Sequence, residues 1–237
     1  MTDDSPLDQP AVDQPVLLDL SDGIATITLN RPDAMNSLDV ATKVMLLDVL
    51  RQVADDPAAR CVVLTGTGRA FCTGQDLKEH ISILRSESSE SLFRTVDEHY
   101  NPIVTTLAGM AKPVIAAVNG VCAGAGLHFV ADADIVIAAR DATFLDPHVS
   151  VGQVSAFETI ALIRKSPMEA IARMALVGRH ERMTAARAYE LGILSQVVDP
   201  PARLRDTAQA LGETIAINSP EALLQTKQLL WRVLEST

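Results

Sequence analysis

The chain has 237 residues, of which 48% are hydrophobic, 21% charged and 3% aromatic, proportions that exclude a disordered or collagen-like chain and are sufficient for a full core. Thirty acidic residues against twenty basic ones give a formal charge of -10, the wrong sign for a protein that neutralises nucleic-acid phosphates. No apolar run reaches the roughly 18 residues that span a bilayer, because Lys112, Asn119, His128, Asp132 and Asp134 interrupt the richest stretch, so neither nucleic acid nor membrane is expected as a partner.

Residues 1–15 carry four Asp and three Pro without an apolar run, which reads as a mobile tail rather than a secretory signal or transit peptide, and a cytoplasmic location follows. Residues 16–20 and 24–30 are β-branched, partly alternating runs divided by Ser21-Asp22-Gly23, the pattern of an antiparallel hairpin. Helical spacing of Val40, Val44, Leu47, Val49 and Leu50 predicts a helix over 38–54 with Asp39 as N-cap, and a strand follows at 61–65. Helices are predicted over 76–84 and 91–110, joined by a polar surface segment at 85–90, and then a strand over 114–118. A helix over 126–131 and short strands at 135–138 and 143–145 come next. Helices over 157–165, 168–177, 184–191, 202–217 and 220–234 complete the chain, which is therefore mixed α/β with a helical C-terminal region and no internal repeat. Cys61, Cys72 and Cys122 are odd in number, lack a C-x-x-C spacing and sit among apolar residues, so they are expected to be buried reduced thiols, and no metal site is predicted.

Two segments place backbone N–H groups at a strand-to-helix transition. In Gly68-Arg69-Ala70-Phe71-Cys72-Thr73-Gly74-Gln75-Asp76-Leu77, Gly74 permits a turn closed to bulky residues, and the Gln75 amide then falls at a helix start. In Asn119-Gly120-Val121-Cys122-Ala123-Gly124-Ala125-Gly126-Leu127-His128, two glycines bracket Ala125 at the start of another helix, where the partial charge is positive. Two such amides converging on one oxygen make an oxyanion hole. Taken alone, the glycines are explained as well by tight strand–helix packing.

These segments, V-V-L-T-G-T-G-R-A-F-C-T-G-Q-D-L and K-P-V-I-A-A-V-N-G-V-C-A-G-A-G-L, closely resemble the crotonase, or enoyl-CoA hydratase/isomerase, family. Ile27-Thr28-Leu29-Asn30-Arg31-Pro32 with Met35-Asn36-Ser37-Leu38 resembles the family's opening, Asp134 falls where its C-D dipeptide ends, and 188–194 resembles a later signature. Several motifs in one order are far more specific than any one of them. The resemblance covers about residues 16–234 and implies a β-β-α spiral over 16–200, a helical region over 201–237, and an enzyme that binds acyl-coenzyme A thioesters. It also implies stabilisation of an enolate by the amides of Gln75 and Ala125. Coenzyme A would arrive as part of the substrate, with no separate cofactor.

Two departures bear on chemistry. Where the hydratases have one glutamate after the glycine-rich turn and a second after a proline about twenty residues on, this chain has His128 and His148. Two imidazoles with ordinary pKa values near 6.5 can divide the roles of base and acid at neutral pH. Hydration or dehydration of an enoyl thioester is the leading expectation. The alternative is a CoA-ester hydrolase or a β-diketone carbon–carbon bond hydrolase, the latter resembling a branch of the superfamily that has a histidine at the second site and an aspartate nine residues later. Here Phe157 takes that position with Glu158 beside it, and Glu158 reaches His148 only if the turn differs locally. A non-catalytic acyl-CoA binding protein is a further alternative. Val154-Ser155-Ala156-Phe157-Glu158 is expected to add bulk near the acyl pocket, with Ser155 as an N-cap. Asp146 reads by default as an exposed loop residue and Tyr100 as a helix-surface residue.

The resemblance places Arg31, Ala34, Gly74, Asp76, Leu77, Gly124 and Lys227 near substrate or coenzyme A, with Arg31 and Lys227 as candidate cations; surface solvation is the simpler role for Lys227. It implies a homotrimer or a dimer of trimers, for which Ala222, Leu223, Leu229, Leu230, Trp231 and Leu234 offer an apolar face. The chain stops at Thr237, short of the family's final helical segment, which bears on the trimer contacts and the pocket lid.

Overall fold

A computed structural model describes residues 14–86, 91 and 94–235. Strands β1 (Val16–Ser21) and β2 (Ile24–Leu29) form the expected hairpin, and helix α1 (Val40–Asp55) starts at Asp39, whose carboxylate accepts the Thr42 amide at 2.8 Å. Gln14 and Pro15, expected in the tail, are tied to β2: their carbonyls accept hydrogen bonds from Asn30 at 3.0 and 2.8 Å. The rest of the expected tail, and 87–90 of the polar segment, lie outside the described residues.

A unit of strand, strand and helix then recurs. β3 (Cys61–Gly66), β4 (Ala70–Cys72) and α2 (Leu77–Ser86) form one turn; β5 (Val114–Val118), β6 (Val121–Ala123) and the site helix α4 (Ala125–Asp132) form the next. Helix α3 (Asn101–Ala108) lies between them. β7 (Ile135–Ala139) and β8 (Thr143–Leu145) begin a third turn. The first strand of each unit joins a six-stranded sheet in the order β1-β2-β3-β5-β7-β10, parallel from β2 onward, with β10 at Gln196–Val198. The second joins a smaller sheet, β4-β6-β8-β9, whose edge β9 is Met183–Thr184. This is the α/β spiral expected from the motifs, with helices α5 (Met168–Val177), α6 (Ala185–Glu190), α7 (Leu204–Ala216) and α8 (Pro220–Glu235) forming the C-terminal region.

The larger sheet is buried on both faces, as parallel sheets are. Ile24, Val63, Ile115, Ala117 and Ile137 pack against Leu204 and Ala208 of α7, while Ile27, Leu64, Val114 and Ala116 face the main core with Leu46, Leu50 and Phe129. Two predicted helices differ. The run over 91–110 contains a π-helical turn at Val96–Tyr100, and the helix expected over 157–165 is a 3-10 turn at Ile160–Arg164 preceded by an irregular segment. Both departures border the site. Among the described residues no helix is long and apolar enough to cross a membrane.

Candidate active site

Two tight turns meet beside the smaller sheet. After β4, Gly74 turns with φ +95° into Gln75; after β6, Gly124 turns with φ +51° into α4. A Cβ on Gly74 would lie 3.4 Å from the Ala125 amide nitrogen, and one on Gly124 would lie 3.3 Å from the Gly74 Cα, so the two turns are in contact, and their positive φ angles are what favour glycine. The Ala125 N–H, in the first turn of α4, has no intrahelical acceptor. A short bridge beside Gln75 runs from the Leu38 amide to the Gly74 carbonyl and from the Asp76 amide to the Leu38 carbonyl, leaving the Gln75 amide out. Neighbouring free amides of this kind can polarise one carbonyl oxygen. The adjacent thiols are not nucleophiles: burial pushes Cys72 up to about 12 and raises Cys122 well above the ordinary thiol range.

The Gln75 turn is braced from beneath. Its side-chain oxygen accepts from Lys43 Nζ at 3.1 Å, and Lys43 is wholly buried on α1. Burial lowers the Lys43 pKa, against the pull of Glu79, Asp39 and Asp76. Arg31, a candidate cation for coenzyme A, is ion-paired within the fold: its guanidinium lies 2.8 Å from Asp39 and 3.2 Å from Asp76 and donates to the Ser37 carbonyl at 2.6 Å. Asp76 also accepts the Lys78 amide at 3.0 Å and so begins α2. Burial alone would raise its pKa, but the Glu79 amide, the Ser37 hydroxyl and Arg31 hold it below the usual carboxylate value. Ala34 is half-buried at the end of a 3-10 turn, and Leu77 is exposed at the start of α2. Lys227 is not a solvated surface lysine: it is buried, 2.7 Å from Asp134, and donates to the Lys112 carbonyl at 3.0 Å.

His128 is one helical turn beyond Ala125, on the same face of α4. Both of its ring nitrogens have partners: Nδ1 is 3.0 Å from the Tyr100 hydroxyl and Nε2 is 3.4 Å from Asp132. Tyr100 is buried at the end of the π-helical turn rather than on a helix surface, and burial, reinforced by the nearby Glu158 charge, raises its pKa well above the ordinary phenol value. Burial likewise raises Asp132, against His128 and Arg164, whose guanidinium is 2.9 Å from it.

His148 follows β8 in a 3-10 turn, and its Nδ1 is 2.6 Å from Asp146 Oδ1. Asp146 is wholly buried, not an exposed loop residue, and accepts hydrogen bonds from the His148 amide at 2.9 Å and from the hydroxyls of Ser155 and Thr159. Ser155 thus serves Asp146 rather than capping a helix. The chain after Gly152 runs irregularly to Ile160, which swings Glu158 back until its Oε2 is 3.9 Å from His148 Nε2, while Val154 and Phe157, expected to fill the acyl pocket, are 82% and 70% exposed. The hydrogen bond to Asp146 raises the His148 pKa, outweighing burial, and Glu158 adds to the rise. Tyr100 serves His128, Glu158 approaches His148, and the Glu158 charge is felt at Tyr100.

Sequence reasoning missed Lys43, which lies within an apolar helical pattern, and undervalued Tyr100 and Asp146. The residue type and spacing of Asp146, two before His148 with a proline between, were the available signal.

The family described as enoyl-CoA hydratase/isomerase matches residues 19–237. The chain is 38% identical over 216 residues to 1,2-epoxyphenylacetyl-CoA isomerase of Escherichia coli (strain K12), covering 91% of this chain and 81% of that protein. It is also 38% identical over 216 residues to (E)-benzylidenesuccinyl-CoA hydratase of Thauera aromatica, covering 90% and 81%. The crystal structure of an enoyl-CoA hydratase/isomerase from Mycobacterium paratuberculosis aligns with a TM-score of 0.83 at 39% identity, over 93% of this chain and 84% of that one.

Proposed function

Because this chain belongs to the enoyl-CoA hydratase/isomerase family, we propose that it acts on an acyl-CoA thioester and catalyses hydration or dehydration across the carbon–carbon bond next to the thioester. The observation that supports this reading is the contact between the Gly74 and Gly124 turns, which lead directly into Gln75 and Ala125. The thioester oxygen accepts from both amides and gains negative charge as an enolate forms, so the donors bind the transition state more strongly than the ground state.

His148 takes the proton of the attacking water through Nε2, beside Glu158. The oxygen adds to the β-carbon, and the double-bond electrons move into the enolate. His128 works through the Tyr100 hydroxyl: the hydroxyl proton passes to the α-carbon as a protonated His128 Nδ1 returns one to the phenol oxygen, so no tyrosinate is left. One water is thereby added, and the proton gained by His148 and lost by the Tyr100–His128 pair are restored by exchange with solvent. Acid–base help of this kind contributes about 10² to 10⁴ in rate. Ala34 and Leu77 border the substrate, and coenzyme A enters with it as the reaction's only carrier. Three buried free thiols support work in a reducing compartment, the cytoplasm. A homotrimer or dimer of trimers is the assembly we assign.

Mass spectrometry of products from a panel of acyl-CoA thioesters tests the reading. A gain or loss of one water with the carbon skeleton and coenzyme A retained is expected. Release of coenzyme A or carbon–carbon cleavage would move the protein to hydrolysis, and binding without turnover would make it a binding protein.

A further inference from the structure

We propose that Asp146 is a positioning residue for the proton-transfer step: its buried carboxylate fixes His148 with the proton on Nδ1 and turns Nε2 toward Glu158, creating a seat for the reacting water between them. The inference rests on the reading of His148 as the base.

An ionised carboxylate can only accept hydrogen bonds, and Asp146 is surrounded by donors. The His148 amide and Nδ1 both address Oδ1, at 2.9 and 2.6 Å, while the Ser155 and Thr159 hydroxyls address Oδ2. Burial alone would raise the Asp146 pKa, but the His148 ring, Ser155, Thr159 and the His148 amide bring it down to about 2. The carboxylate is therefore charged at any pH where the enzyme works, and Nδ1 must carry the proton. In the neutral ring the lone pair is then on Nε2, the nitrogen nearer Glu158. The 3.9 Å from Nε2 to Glu158 Oε2 is too long for a direct hydrogen bond. An oxygen at about 2.8 Å from each atom fits between them. When water gives its proton to Nε2, the imidazolium forms against a fixed negative charge, so no solvent must reorganise to stabilise it.

Asp146 and Glu158 are the carboxylates that bear on His148. The charged residues of the elements packed against its turn, Glu169 and Arg173 on α5 and Arg179 and His180 beyond it, are exposed to solvent.

Nitrogen-15 and proton NMR of the full chain without substrate tests the arrangement directly. Neutral His148 should carry its proton on Nδ1 and titrate above the ordinary histidine value near 6.5, and Asp146→Asn should lower that midpoint by about one unit or more. In turnover, Asp146→Asn should lower kcat by about 10² while changing KM by less than about threefold, and should shift the acidic limb of the kcat/KM profile to lower pH. A proton on Nε2 in the wild-type protein, a midpoint unmoved in Asp146→Asn, or an unchanged kcat would each overturn the proposal. The tautomer measurement needs no variant, so a poorly folding Asp146→Asn protein leaves the test intact. If the NMR results hold and no acyl-CoA turns over, the fault is with the proposed reaction and not with the dyad.

Discussion

Asp146 gives the protein an acid-sensitive element as well as a candidate role in turnover. Its folded-state pKa, about 2, lies below the 3.8 of a free carboxyl, so the stability it contributes is present above about pH 4 and is lost as pH falls toward 2. The shift corresponds to roughly 2 kcal/mol. Urea unfolding should show stability declining through that window in the wild-type protein and a smaller decline in Asp146→Asn, and equal slopes would show that the carboxylate is no better held folded than unfolded. The partner effect has the opposite sign: the His148 pKa is raised, so its contribution is complete below the ordinary histidine value and is lost as pH rises through the folded one. The two shifts share the Asp146–His148 hydrogen bond and are not added together. Tyr100, Ser155 and Thr159 have comparable positional meaning, because each places a hydroxyl against a histidine or carboxylate that would otherwise be poorly satisfied in the interior.

Helix α4 carries Ala125 at its start, His128 one turn on and Asp132 at its end. Its C-terminal end is held by the segment that also serves Asp146. Ser155 and Thr159 bond Asp146, Glu158 approaches His148, Arg164 pairs with Asp132, and Lys165 Nζ donates to the Val130 carbonyl at 3.1 Å and to the Ala133 carbonyl. A cation at a helix C-terminus satisfies free carbonyls and complements the helix dipole, yet burial depresses the Lys165 pKa to about 8 against the pull of Asp134 and Asp132. Lys165→Met should keep the side-chain bulk while orphaning those carbonyls, at a cost of about 1–3 kcal/mol. Urea or thermal unfolding measures this, and a variant as stable as wild type would mean that water replaces the ammonium.

At the scale of the molecule, α8 has two faces. Lys227 and Trp231 turn inward to Asp134, which accepts the Trp231 indole N–H at 2.7 Å, and the Arg164 guanidinium lies 5.2 Å from the indole centroid. Leu229, Leu230 and Val233 turn outward and are 61–65% exposed. The helix expected to supply an apolar oligomer face thus also docks within its own chain, through Trp231 in particular. Contiguous exposed apolar side chains favour a contact between copies. Light scattering at micromolar concentration should give three or six times the chain mass, and Leu230→Glu should lower it; a monomeric wild-type protein would remove the oligomer assignment.

The sequence by itself determined the elements whose signals are local. The hairpin at Gly23, the Asp39 cap of α1, the β5 strand and the two glycine turns follow from residue type and spacing, because positive φ, capping and β-branching act within a few residues. The family motifs likewise mark the Gly74 and Gly124 turns that precede Gln75 and Ala125, where backbone approaches backbone. Tertiary structure decided what depends on partners distant in the chain. The three-residue strands β4 and β6 exist because sheet neighbours complete their hydrogen bonds, too short a pattern to read alone. Arg31 and Lys227 became internal braces because Asp76 and Asp134 fold against them, 45 and 93 positions away. Asp146 became a buried, ionised anchor because an irregular chain after Gly152 brings Ser155, Glu158 and Thr159 around the histidine turn. A carboxylate's charge state and a histidine's free nitrogen are fixed by the donors that surround them, and those donors are assembled only when the chain folds.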